Sequence, residues 1–144
     1  YNGKIIFDFD NTDAKNISIV LGVNGAGKSN LYNAVTWCLY GIEEHRKGKE
    51  GLQRLNESVR EAMAKKASAN VKVKITFGGT SPMQVERTQG FIKTENGLLY
   101  DQSVEHKVWY EKGGNWESSK QPTATVNSVL PKRSPAALSK LWLW

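Results

Sequence analysis

A glycine-rich segment that follows an apolar run constrains the fold of this chain more than any other feature. Residues 22–29 read Gly-Val-Asn-Gly-Ala-Gly-Lys-Ser, which is the pattern G-x-x-x-x-G-K-[ST]. Glycines allow the backbone to curl so that successive N–H groups point towards one anion. Such a loop belongs between a buried strand and the positive N-terminus of a helix.

The sequence supplies candidates for both flanking elements. Residues 16–21, Asn-Ile-Ser-Ile-Val-Leu, predict a short inner strand of a parallel sheet. A helix is predicted after the loop, with Gly41 as its C-terminal cap. Its apolar stripe consists of Leu31, Ala34, Val35, Cys38 and Leu39. A phosphate loop in this context predicts that the chain binds ATP and Mg²⁺, with Lys28 reaching the β- and γ-phosphates and the Ser29 hydroxyl completing the metal's ligand shell.

Length and composition suit a single domain or one lobe of a larger one. The chain has 144 residues and a formal net charge of +6, without a dense basic run. That charge is compatible with phosphate or DNA binding and equally with an ordinary solvated surface. Its one cysteine, Cys38, lies on the apolar stripe, which favours core packing over redox or metal chemistry. No apolar run is long enough for a membrane span, so we expect a cytoplasmic protein that does not contact a membrane.

The remaining sequence divides into segments of different character. Residues 4–9 predict a first strand, residues 42–51 an exposed charged loop, and residues 52–68 a helix with Asn56 as its N-cap. Alternating apolar residues from Val71 to Phe77, followed by turn signals at Asn96-Gly97 and Gly113-Gly114, predict antiparallel strands. Pro122 is a good first residue for a last helix, which would run to Leu130.

We therefore predict an α/β fold, with a strand, P-loop and helix beside an antiparallel β layer. The predicted boundaries are a P-loop unit at 1–55, a helical and charged segment at 56–70, the β layer at 71–120, and a C-terminal helix and tail at 121–144. The tail ends on Leu141-Trp142-Leu143-Trp144. Since such a patch is seldom left uncovered, the tail either packs into the core as a strand or precedes further chain in a parent protein.

Residues 24–41, Asn-Gly-Ala-Gly-Lys-Ser-Asn-Leu-Tyr-Asn-Ala-Val-Thr-Trp-Cys-Leu-Tyr-Gly, carry a resemblance to a known family. They resemble the N-terminal ATPase-head segment of the SMC-like P-loop ATPases of the ABC class, which include SbcC, RecN and, most similar, the DndD-like proteins. Val85-Glu86-Arg87 resembles the family's β-layer strand that ends in an arginine, and residues 127–131 resemble a stretch of the DndD-like branch. The resemblance extends to about Leu130.

The resemblance implies an ATP-binding role in DNA repair, DNA modification or anti-phage defence. It implies that Asn24, Gly25, Ala26, Gly27, Lys28 and Ser29 wrap the β- and γ-phosphates, and that Asn30 covers the α-phosphate. Lys28 is then the catalytic candidate and Ser29 the metal ligand. Implied partners are a second ATPase head, DNA, and a nuclease or defence-system subunit. Family members hydrolyse ATP with an Asp-Glu pair and a Ser-Gly-Gly signature, and neither motif occurs in this sequence.

Two other functions compete with this one. A small P-loop kinase would use the same loop, but Arg46, Arg54, Arg60, Arg87 and Arg133 lack the spacing of a kinase lid. A non-catalytic DNA-binding module could use Lys72 and Lys74 with Trp109 and Trp116. The same residues could equally be solvent-facing lysines and aromatic residues that stabilise a hairpin.

Overall fold

The computed structural model shows an antiparallel sheet and three helices. It describes residues 3–9, 19–23, 27–43, 54–79, 81–97 and 99–130. The helices are α1 (Lys28–Tyr40), α2 (Glu57–Ala62) and α3 (Pro122–Val129). The strands are β1 (Ser68–Phe77), β2 (Met83–Lys93), β3 (Leu99–Lys112) and β4 (Asn115–Ser118). In chain order the sheet therefore follows α2 and precedes α3.

The four strands form one meander in the order β1-β2-β3-β4, and every neighbouring pair is antiparallel. The predicted β layer is therefore confirmed. Both turn signals are confirmed as well: Gly97 donates its N–H to the Thr94 carbonyl at 3.1 Å between β2 and β3, and Gly113-Gly114 joins β3 to β4. The strands are longer than the short runs predicted, because β2 continues past a register shift between Gln89 and Phe91.

The core lies between one face of the sheet and two helices. Val85 of β2 is opposite Val108 of β3, and both side chains are fully buried. Cys38 of α1 and Val126 of α3 belong to the same apolar cluster, so both helices cover this face. The alternation of the strands explains the arrangement, since successive side chains point to opposite faces.

The ends of the helices follow the sequence signals. Gly41 adopts φ 75° and caps α1, as predicted, with its N–H donating to the Trp37 carbonyl. Asn56 caps α2 by accepting a hydrogen bond from the Ser58 N–H at 2.9 Å. The predicted helix over 52–68 is shorter than expected, because Met63 has an extended backbone and Lys66 a left-handed one. The helix expected from Pro122 is confirmed as α3.

The prediction of two N-terminal strands is wrong in the part of the chain that the structure describes. Residues 4–9 and 19–21 belong to no strand, and residues 10–18 lie outside the described ranges. Ile19 and Leu21 are 77% and 87% exposed, which is incompatible with an inner strand of a parallel sheet. A strand needs a neighbour to complete its backbone hydrogen bonds, and β1 to β4 pair only with one another. The sheet is therefore antiparallel throughout.

The predicted domain boundaries remain an expectation, and the tail from 131 to 144 and most of the charged loop, residues 44–51, lie outside the described residues. In the segments with described coordinates, the helices are all too short or too polar to cross a membrane.

Candidate phosphate-binding site

The described part of the predicted site is the first turn of α1. Gly27 precedes the helix with φ 88°, a left-handed conformation that glycine adopts without a Cβ penalty. Lys28, Ser29 and Asn30 follow in the first turn, and all three are exposed. Asn24, Gly25 and Ala26 lie outside the described residues. The structure thus places Lys28, Ser29 and Asn30 together on a helix start, and the wrapping of a phosphate by the loop stays a prediction.

The Lys28 ammonium lies against the beginning of the loop. It donates hydrogen bonds to the Gly22 carbonyl and, at 2.9 Å, to the Val23 carbonyl. These contacts span five and six residues of sequence, so the lysine side chain folds back across the loop. An anionic phosphate oxygen is a stronger acceptor for an ammonium than a neutral carbonyl is. The Lys28 ammonium is therefore positioned to give up its two bonds to backbone carbonyls and to bind a phosphate oxygen in their place.

The N-terminus of α1 is also suited to an anion. Its N-cap is a glycine with no side-chain cap, and the first turn contains no acidic residue. The first N–H groups of a helix have no partner within the helix, and the aligned peptide dipoles favour negative charge there. The residues present therefore fit a phosphate group, with the Ser29 hydroxyl available as an oxygen ligand for Mg²⁺.

At the C-terminal end of α1, an arginine side chain from the sheet contacts the helix. Arg87 of β2 donates from Nε to the Cys38 carbonyl at 3.1 Å. The last turn of α1 has no basic residue of its own. Burial, together with the nearby Arg54 guanidinium, lowers the pKa of Arg87 from its ordinary value. Sequence reasoning places this arginine in a family pattern and among the scattered arginines that do not form a kinase lid. The alternation that places Val85, Arg87 and Gln89 on the helix-covered face could have located it.

Arg54 makes a second connection between α1 and β2. Its guanidinium lies 5.2 Å from the ring centroid of Trp37, which is 2% exposed. The same group donates to Gln89 Oε1 at 2.6 Å and pairs with Glu43 at 3.0 Å. Glu43, in the predicted charged loop, and Arg54, near the start of the predicted helix, are therefore joined by an ion pair.

His106 lies opposite Arg87 in the sheet register. Burial, and secondarily the Arg87 charge, lowers the pKa of its imidazole from the ordinary value of 6.5. A neutral imidazole is the form that avoids repulsion between the two side chains. In the described segments, there is no group of three His, Cys, Asp or Glu residues that could hold a metal ion.

The second face of the sheet bears on the DNA-binding alternative. Lys72 pairs with Glu86 at 3.2 Å, and Lys107 pairs with Glu105 at 2.8 Å. Lys74 lies 5.8 Å from the centroid of the Trp109 ring. The lysines expected to follow a nucleic-acid backbone thus have partners on the same face, which favours the structural interpretation of these residues. Trp116 is 43% exposed on the short strand β4.

The kinase alternative needs arginines that are free to close over a substrate. Arg54 and Arg87 contact α1 and the sheet, as described above, and Arg60 pairs with Glu57 of its own helix at 3.1 Å. Arg46 and Arg133 lie outside the described residues. The described arginines therefore serve contacts within the fold and form no lid.

Comparison with known protein families shows which family the chain belongs to. Residues 1–127 match the family described as the AAA domain. The match covers most of the chain and indicates a P-loop ATPase class of protein, and the chain belongs to the AAA domain family. This membership supports an ATP-binding, P-loop ATPase-like function. No curated protein matches the sequence significantly.

Proposed function

We propose that this chain is the ATP-binding N-terminal lobe of an SMC-like ATPase head. The observation that carries the proposal is the start of α1, where Lys28 and Ser29 follow a left-handed glycine on a helix without a side-chain cap. Membership of the AAA domain family supports the nucleotide. The resemblance of residues 24–41 supports the SMC-like branch.

Each residue of the loop has a proposed role. Asn24, Gly25, Ala26 and Gly27 would offer backbone N–H groups to the β- and γ-phosphates, and Asn30 would cover the α-phosphate. Lys28 would neutralise phosphate charge, and Ser29 would hold Mg²⁺. The bound Mg²⁺ and triphosphate supply the electrophilic phosphorus and charge compensation that phosphoryl transfer requires.

The partners in this proposal follow from the resemblance. A second head would contribute the groups that the loop lacks, since phosphoryl transfer requires a positioned water molecule in addition to a phosphate cradle. The engaged heads would act on DNA in repair, modification or anti-phage defence, together with a nuclease or a defence subunit. The internally paired face of the sheet supports a DNA contact made by the complex rather than by the face that carries Lys72 and Lys74.

The Lys28→Ala variant tests the proposed site. Binding of ATP with Mg²⁺, measured by calorimetry, should weaken more than about tenfold, because a charge-assisted hydrogen bond to an ionised partner contributes about 1.5–3 kcal/mol. Lys112→Ala, at the end of β3, is the matched control and should bind as the wild type does. Equal ATP affinity in the wild type and Lys28→Ala would refute the assignment.

A further inference from the structure

The two ends of α1 differ in what they contain and in what they contact. Its N-terminal turn carries Lys28 and Ser29, and its C-terminal turn receives the guanidinium of Arg87. Helix carbonyls at a C-terminus lack partners within the helix, and a cation there also complements the helix dipole. Because α1 has no basic residue in its own last turn, Arg87 of β2 supplies this charge.

Gly41 makes room for this contact. A Cβ at position 41 would lie 3.3 Å from Arg87 Nη1, 3.5 Å from Cζ and 3.7 Å from Nη2. The guanidinium therefore occupies the space that a side chain at position 41 would take, in addition to its hydrogen bond to the Cys38 carbonyl. The close approach and the hydrogen bond together connect the helix end to β2.

Arg54 strengthens the same connection. Its guanidinium lies over the Trp37 ring in the last turn of α1 and donates to Gln89, two residues from Arg87 on the same face of β2. The C-terminal half of α1 is thus attached to one strand at two neighbouring points. The N-terminal half has a different environment, since Lys28, Ser29 and Asn30 are exposed.

From this arrangement we propose that Arg87 is a positioning residue for nucleotide binding. It fixes the C-terminal end of α1 to β2, and the helix transmits that position to Lys28 and Ser29. Nine residues separate Ser29 from Cys38, which is about 14 Å of helix at 1.5 Å per residue. A short helix behaves as a rod over this length, so a shift at one end displaces the other. This inference rests on the proposed ATP site. It assigns Arg87 a role in ATP binding although Arg87 would not contact the nucleotide.

The test compares two variants that each remove a cation from a helix C-terminus. Arg87→Met removes the cap of α1. Lys93→Met removes the equivalent cap of α2, where the Lys93 ammonium donates to the Arg60 and Met63 carbonyls at 3.1 and 2.9 Å. ATP affinity is measured at low temperature, where circular dichroism shows that each variant is folded.

We expect Arg87→Met to raise the dissociation constant for ATP with Mg²⁺ about tenfold, because phosphate-binding groups tolerate misplacement of only about 0.5 Å. Lys93→Met should stay within about twofold of the wild type, because its cap belongs to a helix with no role in the site. Arg87→Lys keeps the charge and one donor, so it should recover most of the lost affinity. If Arg87 contributed only to overall stability, ATP affinity would be unchanged in both Arg87→Met and Lys93→Met under conditions where they are folded. There would then be no lost affinity for Arg87→Lys to recover.

The outcomes separate the two proposals. If the folded Arg87→Met variant binds ATP as tightly as the wild type while Lys28→Ala does not bind, the positioning role is wrong and the site assignment stands. If the wild type does not bind ATP, the proposed function fails and this inference fails with it. If Arg87→Met does not fold, Arg87→Leu replaces it, since it likewise removes both the charge and the donor to the Cys38 carbonyl. Unchanged affinity in that variant overturns the positioning role.

Discussion

The close approach of Arg87 to Gly41 predicts that alanine costs more stability at position 41 than at a glycine with open space around it. Gly41 has φ 75°, and an L-residue in the left-handed region costs about 1–2 kcal/mol. In Gly41→Ala the new Cβ would also meet three guanidinium atoms at 3.3 to 3.7 Å. Only the 3.3 Å contact is tighter than ordinary van der Waals contact, so Arg87 would shift by a few tenths of an ångström. We expect this shift to weaken its bond to the Cys38 carbonyl, and a hydrogen bond from a charged donor contributes about 1.5–3 kcal/mol. Loss of part of that bond brings the expected destabilisation to about 2–3 kcal/mol.

Gly97→Ala is the matched control for this substitution. Gly97 has φ 79°, but no atom lies within 4 Å of the position its Cβ would take. Its substitution should therefore cost only the backbone term of about 1–2 kcal/mol. Urea unfolding of both variants, with equal m-values, measures the difference. In an Arg87→Met background, the cost of Gly41→Ala should fall to that of Gly97→Ala. Equal costs for the two glycines in the wild-type background, within about 0.3 kcal/mol, would refute the reasoning.

Two further predictions concern titratable side chains on the helix-covered face of the sheet. Burial raises the pKa of the Cys38 thiol to about 11, so a thiol reagent at pH 8 should label it only after unfolding. Because the unfolded value is 9.0, the stability contributed by the neutral thiol should be lost as pH rises from about 9 through 11, and Cys38→Ala should remove that loss. Rapid labelling of the folded protein would contradict this prediction. Burial and Arg87 lower the pKa of His106, so stability should fall as pH drops below 6.5, where the unfolded chain takes up a proton more readily. His106→Gln should flatten this dependence in urea unfolding, and an unchanged slope would show that His106 is not responsible.

The sequence predicted those elements whose signals are local. The β layer follows from alternation between Val71 and Phe77 and from glycine turns, which depend on backbone geometry at single residues. The same holds for the two ends of α1 and for the N-cap at Asn56. Each of these features is determined within a few residues, so tertiary contacts do not have to be known.

The features that the sequence predicted wrongly or not at all depend on neighbours that are distant in sequence. Residues 4–9 and 19–21 have the composition of strands, but composition does not supply a hydrogen-bonding partner, and the described strands pair only with one another. The bond from Arg87 to the Cys38 carbonyl joins positions 49 residues apart. The connection between Arg54 and Gln89 spans 35 residues. Neither contact has a local signature, although a charged residue at an inward-facing strand position indicates that some partner is required.

The distribution of charge over the two faces of the sheet bears on what the sheet does. On the open face, Lys72 and Lys107 are paired with glutamates and Lys74 lies on an aromatic ring, so the face presents little uncompensated positive charge. On the covered face, burial and, to a smaller extent, the charge of Arg54 lower the pKa of Arg87, and both arginines contact the last turn of α1. Bringing two guanidinium groups together under a helix is unfavourable unless the helix offers acceptors, which the carbonyls at its C-terminus do. The charge of Arg87 is therefore directed at α1, and this arrangement favours a sheet that supports the proposed phosphate-binding helix over one that binds nucleic acid itself.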